Sequence, residues 1–385
     1  MKHYDYIFTG SGLSALMTVY EMILSGKFDD KTILLLDENP KKSNDRTWCF
    51  WDNAALFDEI VSKNWDVALF ADENFQRNLD LKPYQYKMVR GLDFYNLVFD
   101  LISKQKNIHF VNQKVLEFED LGNECIVKTS SENYTCNKIF NSIYNPDLVK
   151  NQSKYPLLQQ HFIGWFIKSK EAIFDKNTAT FMDFSVEQRG NTRFMYVLPT
   201  SSTEALLEYT LFSKDLLSKE EYENEIQIYI KRLGISEYEI IEKEQGNIPM
   251  TSYNFWKHNT KNILNIGSVG GWTKASTGYT FKNTTKISKA LIQFLEKDTS
   301  TALSVTDLRK FHKTDKFWFY DLLFLDVLYR RNDLGSKVFS ALFKKGNPTL
   351  IFKFLDEETS FWEDLQVIWK CPKGLFVRAL FGRVF

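Results

Sequence analysis

Two short stretches of this chain carry residue types whose spacing can do chemistry. The first is Gly10-Ser11-Gly12-Leu13-Ser14-Ala15, the GxGxxA form of a dinucleotide-binding turn. In that pattern Gly10 permits the tight turn, Gly12 lets a pyrophosphate approach the backbone, and Ala15 is small enough for close helix–sheet packing. The phosphates would rest on a helix N-terminus, where unpaired N–H groups and the dipole meet negative charge. The second is Leu206-Leu207-Glu208-Tyr209-Thr210, a carboxylic acid among apolar neighbours. Period-two geometry puts Leu206, Glu208 and Thr210 on one face of a strand. If that face lines an apolar cavity, burial raises the carboxyl's pKa and lets it hold a proton near neutral pH. If it faces solvent, Glu208 is an ordinary exposed acid.

The elements needed to position both stretches are legible. An apolar strand over residues 4–8 precedes the glycines. A helix over 13–25 follows, with Leu13, Leu16, Met17, Tyr20 and Leu24 on one side, and then a strand over 32–36 ending at Asp37. This is the start of a parallel α/β unit. Asp37 or Glu38, about 25 residues beyond Gly12, can accept a ribose hydroxyl, against a usual spacing of about 20. An acid there disfavours a 2′-phosphate, so FAD or NAD suits this turn better than NADP. The pattern predicts a further helix over 93–104 and strands over 108–118, 124–129 and 138–143. From residue 161 several short strands follow in succession (161–167, 178–184, 192–198 and 206–212), which predicts an antiparallel sheet. Helices are expected over 219–233 and 284–297, with a strand over 262–267 between them. The aromatic stretch 317–329 also reads as helix.

Composition narrows the class. Equal numbers of basic and acidic residues, 49 each, give no general attraction to nucleic acid. The four cysteines form no CxxC pair and the five histidines no metal clip, so no metal is expected and a reducing, cytoplasmic setting is the simpler assumption. No secretory leader is expected from the residues ahead of the first strand, and no charge-free run reaches about 18 apolar residues. The 33 Phe, 18 Tyr and 9 Trp fill a core, but they also suit an elongated apolar ligand or a membrane interface.

Four segments together resemble the bacterial and plant-type lycopene beta-cyclases. They are residues 4–15 with the strand 32–37; Asn44-Asp45-Arg46-Thr47-Trp48-Cys49-Phe50; Phe181-Met182-Asp183 with Arg193–Pro199 and Leu206–Thr210; and Gln245-Gly246-Asn247-Ile248-Pro249 with Gly267, Gly270 and Thr277-Gly278-Tyr279. Residues 350–369 are similar more loosely. The resemblance implies an α/β, Rossmann-like FAD/NAD(P)-binding flavoprotein fold. An FAD domain over 1–160 and 260–300 would hold an antiparallel-sheet substrate domain over 161–259 and a helical region over 301–385. It implies reduced FAD as cofactor, NAD(P)H as electron donor, and lycopene or a related acyclic carotenoid as substrate. The chemistry would be acid/base ring closure without net redox change: a terminal alkene is protonated, a neighbouring double bond attacks the cation, and proton loss sets the ring double bond.

By the same resemblance Glu208 occupies the place of the family's essential acid. The family's second acid is here Tyr209, and an Arg common in bacterial relatives is here Glu204. Asp183 keeps the family's Met-Asp pair, and Glu187-Gln188 its acidic-Gln pair. The cofactor would be held by Gly10, Ser11, Gly12, Leu13, Ala15, Asp37, Glu38, Arg46, Gly267, Gly270, Thr277, Gly278 and Tyr279. Asp183, Trp48, Phe50, Tyr196 and Tyr209 would line the substrate cavity, although Trp48, Phe50 and Trp51 serve equally well as core. A polyene arrives from a bilayer, so Phe317-Trp318-Phe319-Tyr320 and Phe324, with Lys316, Arg330 and Arg331, would either meet a membrane surface or pack against the flavin domain. Two other functions remain open on the same residues. One is a flavin oxidoreductase acting on an apolar isoprenoid, and the other a carotenoid-binding flavoprotein without turnover.

Overall fold

The computed structural model describes residues 1–299, 306–312 and 314–384. The apolar strand Lys2–Thr9 lies at the centre of a seven-stranded sheet, parallel to Ile33–Asp37 on one side and Asn133–Asn141 on the other. Ile108–Asn112 extends the parallel part at one edge, and Ile263–Asn265 pairs with Asn133–Asn141. Ile33 to Leu36 are wholly buried, as a strand covered on both faces requires. The helix Leu13–Ser25 crosses over this sheet and ends at Gly26, whose φ of 60° supplies the left-handed C-terminal turn. The helix Phe281–Thr299 packs on it, with Thr18 and Ser288 in hydroxyl contact at 3.2 Å. The continuous strand expected over 108–118 is two strands. Gln113 N bonds to Val111 O and turns the chain, so Val115–Asp120 leaves the parallel edge and pairs antiparallel with Cys125–Thr129.

A second seven-stranded sheet runs in the order Tyr238–Met250, Leu158–Ser169, Glu204–Ser213, Thr192–Pro199, Thr178–Asp183, Val67–Ala71 and Gln76–Asp80. All neighbours are antiparallel except the parallel pair Thr178–Asp183 and Val67–Ala71. Residues 67–80 fall inside the segment 1–160, so the expected boundary at 160 does not coincide with the division between the sheets. Tyr238–Met250 has no apolar alternation, because its inward positions include Glu244 and Gly246, which line a cavity, while its other face is solvated, and no strand is expected there from the sequence. Its Pro249 sits where an edge strand tolerates a missing N–H.

Each face of this sheet has its own cover. Leu207, Tyr209 and Leu211 pack beneath the helix Lys219–Arg232, against Tyr222, Ile226, Tyr229 and Ile230. Leu206 and Phe212 point the other way, into a cluster completed by Leu325, Leu328, Phe339, Phe343 and Phe352 of the C-terminal helices. Those helices are Lys316–Arg330, Gly335–Lys345, Pro348–Leu355, Phe361–Ile368 and Lys373–Val384. Residues 301–305, the start of the expected helical region, lie outside the described residues. A small antiparallel sheet of Thr47–Asp52, Gln85–Arg90 and Val61–Trp65 closes the space between the two large sheets. Among the described residues no helix is long and apolar enough to cross a membrane.

The helix Lys316–Arg330 is scaffold more than surface. Phe317 is buried, and Trp318 Nε1 donates to Ser252 O at 3.1 Å. Its two acids are buried and paired: Asp321 with Lys274, and Asp326 with Arg383. Lys274 is therefore an internal cation, not a solvent-facing side chain. It also reaches Glu357 at 3.1 Å and so ties the loop before Phe281–Thr299 to two C-terminal elements.

Candidate functional site

The glycine turn is built as its spacing requires. Gly10 has φ +102°, and a Cβ there would sit 2.2 Å from Ser142 Oγ. Only glycine meets both demands. A Cβ on Gly12 would meet nothing within 4 Å, so this backbone faces open space at the start of the helix Leu13–Ser25. Ala15 is fully buried beneath it. Ser11 N and Oγ both donate to Asp37 Oδ2, at 2.7 and 3.0 Å, and Asn39 N donates to Asp37 Oδ1. Asp37 thus clamps the turn. Glu38 is exposed and pairs with Lys114 at 3.2 Å. Neither acid lines the cavity in front of the turn, where a ribose-binding role would put it.

That cavity encloses about 350 Å³ and brings together residues from every layer. Gly12, Leu13 and Lys41 come from the nucleotide side, Arg46 and Trp48 from the small sheet and its approach, Tyr196 and Glu208 from the second sheet, and Thr277, Gly278 and Tyr279 from the loop before Phe281–Thr299. Two observations test whether FAD fits it. The backbone at Gly12 is open at a helix N-terminus, with Lys41 and Arg46 on the same cavity wall, as a pyrophosphate requires. The buried Oε1 of Gln160 lines the cavity without a hydrogen-bond partner, and Gly278, at φ +73°, presses so close that a Cβ would lie 2.0 Å from it. A buried polar atom of this kind calls for a polar ligand. The open backbone N–H groups, the two cations and the unpaired amide oxygen suit a dinucleotide cofactor.

Glu208 sits in a row that crosses four strands. Glu244 and Glu208 each register with Gly164, and Tyr196 registers with Glu208. A Cβ on Gly164 would lie 3.2 Å from Glu244 Cγ and 3.5 Å from Glu208 Cβ, so the missing side chain leaves room for two acids to face one cavity. Thr210 donates to Glu208 Oε1 at 2.6 Å, and Thr47 to Glu244 Oε2 at 2.6 Å. Burial, and then the charge of Glu244, push the Glu208 carboxyl up to about 8, against the opposing hydrogen bond from Thr210. Burial also raises Glu244, with a lesser push from the charge of Glu242, opposed by Thr47, Arg90 and Arg46.

Beside this row stand three phenols. Tyr86 and Tyr196 hydroxyls meet the Tyr279 hydroxyl at 3.0 and 3.3 Å. Burial raises all three well above the ordinary phenol. Tyr196, Thr277 and Tyr279 also line a second cavity of about 350 Å³ on their far side. Its wall is almost wholly apolar, including Phe181, Phe212, Phe319, Phe324 and Phe339. Val377 and Leu380 belong to that wall and are also solvent-exposed, so the cavity reaches the surface at the helix Lys373–Val384.

Several expected site residues lie elsewhere. Tyr209 adjoins Glu208 in sequence and so points to the opposite face, where its hydroxyl meets Arg193 at 3.3 Å. Asp183 accepts from Tyr229, Arg232 and Ser185, and anchors the helix Lys219–Arg232. Phe50 stacks on Phe281 at 4.9 Å in the flavin-side core. Gly267 and Gly270 shape the loop without lining the cavity: Cβ atoms there would strike Ser14 Oγ and Asn265 O. Glu204 is a surface acid paired with Lys168, and the amide of Gln188 braces its own turn on three carbonyls. Sequence reading missed Glu244, Gln160, Tyr86 and Lys41. Glu244 alone had a pointer, because it lies two residues before Gly246 and shares its face.

The fold is that of FAD/NAD(P)-binding flavoproteins, with a Rossmann-like parallel sheet joined to a second, mainly antiparallel one. Solved structures similar over almost the whole chain include a flavoprotein/dehydrogenase from Cytophaga hutchinsonii (TM-score 0.66, 10% identity, 99% of this chain and 100% of that one). A geranylgeranyl bacteriochlorophyll reductase-like protein from Thermoplasma acidophilum is also similar (TM-score 0.62, 10% identity, 98% of each chain). Residues 5–381 match the family model described as lycopene cyclase protein, and the chain belongs to that family. Among curated proteins it is similar to neoxanthin synthase, chloroplastic, of Solanum tuberosum, at 24% identity over 203 residues. That match spans 49% of this chain and 40% of the potato protein.

Proposed function

We propose that this chain is a lycopene beta-cyclase, closing β-ionone rings on the linear ends of lycopene, first to γ-carotene and then to β-carotene. The reading rests on one observation above the others: a buried carboxyl, Glu208, whose proton affinity burial raises, shares a cavity with the open dinucleotide turn, and an apolar cavity adjoins it. In this reading the polyene lies in the apolar cavity with its end passing Tyr196 and Tyr279. Glu208 gives its proton to the terminal alkene, and the resulting tertiary cation is attacked by the neighbouring double bond. The carboxylate left behind is a counter-charge to the cation, and a proton lost from the new ring restores the acid. No atom is gained or lost. Enclosure strengthens the ion pair and keeps water from capturing the cation, and the faces of Tyr196, Tyr279 and Trp48 favour a nearby positive charge.

FAD would be held by Gly12, Leu13, Arg46, Gln160 and residues 277–279, and in its reduced form, with NAD(P)H as electron source, it would supply an electron-rich ring beside the cation. The substrate would come from a lipid surface met by the helices Phe361–Ile368 and Lys373–Val384. Phe361, Trp362, Trp369 and Phe381 are exposed there, with Lys370, Lys373 and Arg378 among them.

The test is anaerobic incubation with lycopene in liposomes, with oxidised or reduced FAD, and mass analysis of the products. Cyclised product of unchanged mass, formed by the wild type and absent with Glu208→Gln, is expected. A product of altered mass would instead identify an oxidoreductase, and bound but unchanged polyene a carrier.

A further inference from the structure

Among the described residues, Glu244 is the one acidic side chain that strand register brings to Glu208, across Gly164. Its own surroundings differ from those of its neighbour in a way the cyclase reading does not require. On the Glu244 side lie a hydroxyl donor, Thr47 at 2.6 Å, and two guanidinium groups, Arg90 and Arg46. Arg90 is itself oriented by Glu242 at 2.6 Å, and the Glu242 carboxylate opposes ionisation of Glu244 less than Arg90 favours it. On the Glu208 side lie Thr210 of its own strand, the thiol of Cys49, and the phenols of Tyr86, Tyr196 and Tyr279, together with Glu244 itself. All three phenols and the thiol are held neutral by burial. Positive charge therefore favours the carboxylate form at Glu244, and like charge opposes it at Glu208. Two acids so placed on either side of Gly164 do not both ionise readily, and the proton falls to the one without cations.

We infer that Glu244 is a positioning residue that keeps Glu208 loaded with its proton: it remains the carboxylate of the pair and, across Gly164, makes its neighbour the acid. This rests on the role of Glu208 proposed above, but it makes a separate physical claim about where one proton resides. It also accounts for the small residue at 164, since any side chain there would part the two acids or displace Leu206, whose Cδ1 would lie 2.9 Å from the new Cβ.

The experiment follows the carboxyl C=O stretch of Glu208 by infrared difference titration of the purified, flavin-loaded chain without substrate, the band being identified by its loss in Glu208→Gln. In the wild type the protonated band should persist above pH 7. In Glu244→Gln, which keeps shape and removes charge, its midpoint should fall by at least one pH unit, a tenfold loss of proton affinity. Thr47→Val should move it the same way by less, because a Glu244 without its hydroxyl donor competes better for the proton; this variant serves if Glu244→Gln does not fold. The alkaline limb of cyclisation should move down in step with the band. A band whose midpoint is unmoved in either folded variant overturns the inference. A chain that shows the expected band shift but makes no cyclised product retains the pair and loses the cyclase reading, so the two failures are separable.

Discussion

The two cavities that meet at Tyr196 and Tyr279 have similar volume and opposite construction. The one before the glycine turn gathers acids, cations, amide groups and open backbone from every layer of the fold. The one among the C-terminal helices is walled chiefly by phenylalanine, leucine and valine. A single strand serves both, because Glu204–Ser213 presents Leu206 and Glu208 to the first and Phe212 to the second from the same face. The difference teaches a division of labour. The polar cavity fixes where a charge can form, and the apolar one fixes only what shape can approach it. Burial is the largest cause of the raised Glu208 carboxyl, and Glu208 lines the polar cavity.

The sharpest way to break this comparison is to damage each side separately. Glu208→Gln should lower kcat by roughly 10³-fold, whereas Phe324→Ala should mainly raise KM, by about tenfold or less, which steady-state kinetics on liposomal lycopene will separate. Equal losses in kcat from both would show that the cavities do not divide the work.

Next in size is the tie between them. Lys274→Met would leave Asp321 and Glu357 buried or half-buried without their cation. A loss of about 3–5 kcal/mol is expected, read as a lower denaturant midpoint.

The pH dependence comes third, and its sign follows from the raised acid. Below about pH 4.5 Glu208 is protonated folded or unfolded. As pH rises toward about 8 the unfolded chain ionises this group first, so stability is lost across that window. Glu208→Gln should therefore nearly match the wild type at pH 5 and exceed it at pH 8 by several kcal/mol, at about 1.4 kcal/mol per pKa unit. A variant that is no more stable at pH 8 than the wild type would place the acid in a wetter site.

Gly10→Ala should cost about 1–3 kcal/mol through its left-handed φ and the clash with Ser142. Flavin affinity should fall with it while the apolar cavity still binds polyene, as fluorescence titration of each ligand will show. The smallest effect belongs to the surface. Trp362→Glu with Trp369→Glu should reduce sedimentation with anionic liposomes several-fold and leave turnover of detergent-dispersed substrate nearly unchanged.

Local chemistry explains what could be read from the chain alone. The alternation of apolar residues, the glycine spacing and the helix periodicities are short-range patterns, and they determined the parallel α/β start, the succession of strands from residue 161 and the face of Glu208. The same alternation, applied one residue further, excludes Tyr209 from that face, although family resemblance had placed it in the cavity. Asp37 was legible as the acid at the end of its strand, but not its engagement by Ser11, which depends on how closely the turn folds back. Asp183 was placed in the cavity because it keeps the family's Met-Asp pair, but its partners Tyr229 and Arg232 lie some fifty residues away on a helix that only packing brings near.

Only the tertiary structure decided that Glu244 stands across Gly164 from Glu208, that Gln160 points into the cavity without a partner, and that residues 67–80 join the second sheet. Strand order and register are set by long-range packing that leaves no periodic trace in any one segment. A carboxyl's proton affinity depends on its dielectric surroundings and neighbouring charges, which exist only once those segments have come together.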